Sequence, residues 1–172
     1  MSNPARYSFI ATDSLMTESI YIDTSIVGYL TARTNNNLIL MANMEITREW
    51  WENRRTNFNI YISEVVLDEA AQGDAEIAAK RLEIISNFPL LELNDTVEYL
   101  ASQFLSKSNL PGKAANDALH IALATVYGLD YLLTWNCKHI ANAQIQKKLS
   151  QISVESGYTL PTICTPYELM GD

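Results

Sequence analysis

The chain reads as an α/β protein, a three-layer α/β/α sandwich around a central parallel sheet of four to five strands. Three observations predict this. Short β-rich runs alternate with helical runs from residue 19 onward. The first of them, Ile20-Tyr-Ile22, is continuously apolar, as a strand buried on both faces is. The 172 residues, 48% hydrophobic and 19% charged, are enough for one buried core and one domain.

The elements follow in order. Residues 1–18 carry the least pattern and are read as an N-terminal appendage, with 19–172 a single domain ending in a short tail. Met16 is therefore expected to be a workable start. Ser19-Ile-Tyr-Ile-Asp23 is a strand ending in an acid. A helix is expected over Ile26 to Ala32. The Asn35-Asn-Asn37 patch then opens a long helix, with Leu38, Met41, Ile46 and Trp50 among its apolar positions. Phe58 to Ile62 is a second strand. Ser63 caps a helix that Gly73 stops, and Asp74 caps the next, which runs to about Asn87.

Pro89 breaks the chain before a third strand, Leu90 to Leu93. Asn94 or Asp95 caps a helix through about Ser106, and Asn109-Leu-Pro-Gly112 is a turn. Ala115 to Tyr127 is a very apolar helix stopped by Gly128. Tyr131 to Thr134 is a fourth strand, a helix runs from about Asn142 to Ser150, and Thr162 to Thr165 is a fifth strand.

Composition excludes some functions. Twelve Lys and Arg against twenty Asp and Glu give a net charge of −8. That argues against holding nucleic acid by general charge attraction, because phosphate binding wants a basic surface. An enzyme with a local basic groove, or with acids that hold metal, remains open. Two cysteines, Cys137 and Cys164, and two histidines form no zinc-site spacing, and the cysteines are read as packing residues. No apolar run approaches the ~20 residues that span a bilayer, and no secretory signal is evident. A reducing, cytoplasmic setting is the default expectation.

In open parallel sheets, ligands gather beyond the carboxyl ends of the strands, so acids at those ends matter most. Asp23 ends the first strand, and its carboxylate is expected in the crevice. The competing role is N-cap of the next helix, which Thr24 or Ser25 can fill instead. Asp117 lies in the first turn of the apolar helix, on its inward stripe with His120, Ile121 and Ala124. Burying an acid there costs free energy unless it has a partner such as a divalent cation. Stabilising the helix N-terminus is the alternative. On the helix after Ser63, spacing alone does not choose between Asp68 and Glu69. Asn136 stands past the fourth strand, as a ligand, a water holder or a turn residue.

Four segments together carry a resemblance: Tyr21-Ile-Asp-Thr-Ser25, Ser63-Glu-Val-Val-Leu-Asp-Glu-Ala-Ala-Gln-Gly73, Asn116-Asp-Ala-Leu-His-Ile-Ala-Leu-Ala124, and Leu132-Leu-Thr-Trp-Asn-Cys-Lys-His-Ile140. In this order they resemble the PIN domain of VapC-type toxins, over roughly residues 19 to 145. The resemblance implies Glu69, in its Glu-x-x-x-Gly context, as the second acid beside Asp23 and Asp117. It places Asn136 where many members carry Asp, which weakens a second metal position. It matches the hydroxyl after the first acid to Thr24 or Ser25, with Ser25 favoured.

The implied activity is divalent-metal-dependent hydrolysis of RNA, with Mg²⁺ or Mn²⁺ on Asp23, Glu69 and Asp117, and Asn136 holding a water or a metal. The chemistry suits the acids: hard ions take oxygen ligands, and one or two ions activate water and steady the leaving oxygen. The resemblance also implies a cognate antitoxin, a homodimer, and the long helix 37–55 as a contact surface. A PIN-like binding module with an incomplete metal site and a structure-specific DNA nuclease are the competing functions. Lys113 and Lys138 flank the site as solvated charges, His120 is expected as a satisfied core histidine, and His139 as a packing residue.

Overall fold

The computed structural model describes residues 17–34 and 36–171. The expectation that residues 1–18 form an appendage, and that Met16 is a workable start, falls almost wholly outside them. Five strands form one sheet: β1 (Ser19–Ile22), β2 (Asn59–Ser63), β3 (Leu90–Leu91), β4 (Tyr131–Leu133) and β5 (Thr162–Cys164). Their order is β3-β2-β1-β4-β5, and every pairing is parallel. Among the described residues the α-helices are α1 (Thr24–Thr31), α2 (Leu38–Asn53), α3 (Glu64–Ala70), α4 (Ala75–Ile85), α5 (Asp95–Lys107), α6 (Ala115–Val126) and α7 (Ala143–Glu155). Helix α1 packs against α2, α3 and α4, while α5 packs against α6 and α7. The expected α/β/α sandwich is the observed fold.

Strand β1 is central, and Ile20, Tyr21 and Ile22 are wholly buried. That is why this run is apolar without alternation: both of its faces are covered. The chain first builds away from β1 through β2 and β3, then crosses back to lay β4 on the other side. The switch in direction falls between β1 and β4, where the loops leaving neighbouring strands part and open a crevice. In register, Ile22 lies opposite Leu133, so Asp23 and Thr134 leave the sheet side by side.

Three helix starts use expected caps. Asn37 accepts from the amides of Ile39 and Leu40, Asp74 from those of Glu76 and Ile77, and Asn94 from that of Val97. Gly73 takes a φ of 87°, which ends the α3 turn at little cost only because it lacks a Cβ. Some details differ from expectation. Helix α1 begins at Thr24, two residues early, because Asp23 itself is its cap. Helix α7 runs on to Glu155, as Ile152 and Ser153 still face the core. Leu38 is exposed, as is Ile39, so the first turn of α2 presents apolar surface. Trp50 is buried, and Trp51 lies partly buried against Phe88 with the Arg55 guanidinium 4.7 Å from its ring centre. Cys164 packs as expected, but Cys137 is exposed on the loop after β4.

Candidate functional site at the strand tips

Asp23 leaves β1 into the switch point and is buried, at 4% exposed. It performs both roles the sequence left open. One carboxylate oxygen, Oδ1, accepts from the Ser25 amide at 3.1 Å, capping α1, and from the Ser25 hydroxyl. The other, Oδ2, accepts from the Thr134 hydroxyl at 2.5 Å. Burial pushes the Asp23 carboxyl up from its ordinary range. Attraction to His120 and the hydrogen bonds from Ser25 and Thr134 oppose that without cancelling it. A carboxylate ringed only by neutral hydroxyls and one amide is a place where a cation gains most.

Glu69 sits on the last turns of α3, and Asp68 beside it points to solvent. This resolves the ambiguity that spacing left. The Glu69 carboxylate meets three donors. The Thr24 hydroxyl and His120 Nε2, at 3.1 Å, reach Oε2, and the Asn116 amide reaches Oε1 at 2.9 Å. Partial burial alone would raise this carboxyl. The hydrogen bond and attraction of His120, with the Thr24 and Asn116 bonds, outweigh burial and hold it down at about 2.

Asp117 opens α6, as expected, with its side chain about one-fifth exposed. Its partners come from the loop after β4. Asn136 Nδ2 donates to Oδ1 at 2.9 Å, and His139 Nδ1 lies 2.8 Å from Oδ2. The orientation of the Asn136 amide is fixed at both ends, since its oxygen accepts the His139 backbone N–H at 3.1 Å. Its own backbone N–H donates to the Thr134 hydroxyl at 2.8 Å. Ser25 ties the flanks together: its hydroxyl accepts from the Trp135 amide at 2.8 Å while donating to Asp23.

Asp23, Ser25, Glu69, Asp117 and Asn136 are thus all found at the carboxyl end of the sheet, each in a hydrogen-bond cluster. Several of their companions carry little signal in the sequence. His139 does not merely pack; it pairs with Asp117. The signal was its i+3 spacing from Asn136 just past a strand tip. Thr24, Asn116 and Thr134 bind the acids directly, and each is adjacent or nearly adjacent in sequence to a site residue. His120 is satisfied and buried, as expected, yet one of its partners is Glu69. Lys113 and Lys138 are exposed.

The donor set suits a hard divalent cation in kind, being carboxylate, hydroxyl and amide oxygen without thiolate. Among the described residues, no three acidic, histidine or cysteine side chains converge closely enough to hold one ion. Each carboxylate already accepts two or three hydrogen bonds, so a cation would compete with some of those donors. A cavity of about 480 Å³, lined by Arg55, Phe58, Tyr61 and Phe88 among others, lies away from these residues at the start of β2.

An open parallel α/β/α domain with oxygen donors gathered at its switch point defines a class of α/β proteins whose site lies at the strand tips. The chain belongs to the PIN domain family, whose model matches residues 20–138, more than half of the sequence. No curated protein matches it. Among solved structures, one similar chain comes from the crystal structure of VapBC2 from Rickettsia felis bound to a DNA fragment from their promoter. The TM-score is 0.45 at 16% identity, over 85% of this chain and 97% of that one. No helix among the described residues is long and apolar enough to cross a membrane.

Proposed function

We propose that the protein is a divalent-metal-dependent endoribonuclease that hydrolyses RNA phosphodiester bonds and serves as the toxin of a toxin–antitoxin pair. The observation that carries this is Asp23, a buried carboxylate at the switch point with only neutral groups bonded to it. Asp23, Glu69 and Asp117 would hold Mg²⁺ or Mn²⁺. When bound, such an ion supplies an activated water and stabilises charge on the leaving oxygen. Ser25 and Thr134 orient the Asp23 carboxylate. Asn136 and His139 orient Asp117 from the loop after β4. Membership in the PIN family supports the nuclease reading.

A cognate antitoxin and a homodimer are part of the same proposal. Apolar surface at Leu38 and Ile39, on the first turn of α2, supports a protein contact there. A second reading, a binding module without catalysis, draws on Asn136 standing where many family members carry Asp, and on the lack of a three-ligand cluster among the described residues.

Cleavage of a mixed RNA pool tests the two. Purified protein is assayed with Mg²⁺ or Mn²⁺, with EDTA, and as Asp23→Ala. Cutting that needs metal and vanishes in the variant is expected. Cutting that survives both EDTA and Asp23→Ala would sink the metal-site assignment. No cutting, with no Mn²⁺ uptake by calorimetry, would favour the binding module.

A further inference from the structure

The hydrogen bonds around Glu69 do not all begin at the surface. Tyr21, in the middle of β1, is wholly buried. Its hydroxyl lies 2.7 Å from both the Ser63 hydroxyl at the end of β2 and His120 Nδ1 on α6. The imidazole is buried too, at 2% exposed, and its other nitrogen, Nε2, lies 3.1 Å from Glu69 Oε2. An unbroken line of polar contacts therefore runs Ser63–Tyr21–His120–Glu69, through the buried interior to the partly exposed Glu69 carboxylate.

The direction of its last link is fixed by chemistry. The Glu69 carboxylate is met by the Thr24 hydroxyl, the Asn116 amide and His120, and an ionised carboxylate only accepts. His120 Nε2 must carry the hydrogen. The Tyr21 hydroxyl can serve Nδ1 in either sense, since a phenol both donates and accepts. Neither ring nitrogen can leave its partner without stranding a buried polar group. The other two donors to Glu69 are less constrained, as Thr24 is half-buried and Asn116 is exposed.

Resting on the metal-dependent reading above, we propose that His120 is a positioning residue for Glu69. Its Nε2–H, set in place by Tyr21, holds the carboxylate in the orientation in which it takes a divalent cation. The exposed Asn116 amide is the donor free to yield Oε1 to another ligand, while His120 keeps Oε2.

Two measurements test this on the full chain. The first uses metal-free, ¹⁵N-histidine-labelled protein. His120 is expected to carry its hydrogen on Nε2, with a proton shift that moves in both Glu69→Gln and Tyr21→Phe. A bare Nε2, or a signal indifferent to Glu69→Gln, overturns the proposal. The second is Mn²⁺ titration calorimetry of His120→Gln and His120→Asn, with folding of each followed by circular dichroism. The Gln amide reaches the place of Nε2, whereas the Asn amide reaches only that of Nδ1. Partners that orient metal ligands are typically worth about 10–100-fold in affinity. His120→Asn is expected to weaken Mn²⁺ binding about 10-fold or more, and His120→Gln to restore most of it. Equal losses in the two folded variants overturn the positioning role. If wild-type protein takes up no Mn²⁺, the metal reading falls and the role falls with it. The first measurement, made without metal, separates that case from a misassigned His120.

Discussion

The two flanks of the site differ in what holds their acids. On the α3 flank, one Glu69 oxygen is met by His120, whose other nitrogen is anchored on Tyr21 deep in the sheet. On the α6 flank, Asp117 is met only by Asn136 and His139, both on the partly exposed loop after β4. The first arrangement is built into the core and cannot shift without breaking buried hydrogen bonds. The second rests on a short, partly exposed loop at the strand tips. We expect one preset side and one more adjustable side, as uptake of the proposed cation would need. Asp23, just past β1, lies between the two flanks and belongs to neither.

The largest effect should therefore come from Asp23. Asp23→Asn keeps the α1 cap, since Asn caps as well as Asp, but removes the buried charge. We expect RNA cleavage to fall to the level seen in EDTA while the metal-free protein becomes more stable by about 1 kcal/mol. The sign has a pH signature. The folded-state carboxyl is raised, so its contribution is full at low pH and lost as pH rises through the folded pKa. The stability gap between variant and wild type should thus be wider at pH 7.5 than at pH 4. Denaturant unfolding in EDTA at both values measures it. A variant less stable than wild type at pH 7.5 would mean the buried charge is not a cost, and the case for a cation there would weaken.

Much of this site was legible beforehand because its acids sit at positions that pattern alone marks. Asp23 ends an apolar strand, Asp117 opens an apolar helix, and the alternation of elements places both at the same end of a parallel sheet. What the pattern missed was the partners. His139 looks like a packing residue because a loop has no period from which its direction can be read, and only the fold brings it onto Asp117. Tyr21 reads as core, and it is core, but its hydroxyl serves residues 42 and 99 positions away. The choice of Glu69 over Asp68 was settled by family resemblance, since neighbours on a short helix differ by a third of a turn and spacing cannot say which third faces the crevice. Leu38 falls on the apolar positions of α2 yet lies outside the core, because apolar character alone does not tell a buried position from an exposed one.

The adjustable flank is sharpened by Asn136→Asp. The amide now donates to Asp117 at 2.9 Å. An acid in its place sets two carboxylates against each other, which each disfavours unless a cation lies between them. In EDTA the variant should lose about 1 kcal/mol of stability. Its affinity for Mn²⁺ should rise by about 10-fold, since added ligand charge tightens hard-cation sites. Calorimetry and thermal melts report the two halves separately. If affinity is unchanged although the metal-free protein is destabilised, Asp117 and residue 136 do not share an ion, and the loop is not the adjustable side.

The preset flank carries the smallest but most specific effect. The Glu69 carboxyl is held at about 2 in the folded protein, below its ordinary range near 4.3. A depressed carboxyl stabilises the fold at pH above its unfolded value, and that stability drains away as pH falls toward the folded value. Wild-type stability should decline between roughly pH 4.3 and pH 2 in part for this reason. Other acids titrate in the same window, so the comparison must be with Glu69→Gln, in EDTA. At pH 7 the variant should be less stable, because its amide turns a donor toward His120 or Asn116. The gap should close as the wild-type carboxylate protonates. Unfolding curves at pH 7 and pH 3 that stay parallel for the two proteins would show that the hydrogen bonds at Glu69 carry no net stability. The contrast between a core-anchored and a loop-anchored flank would then be one of geometry alone.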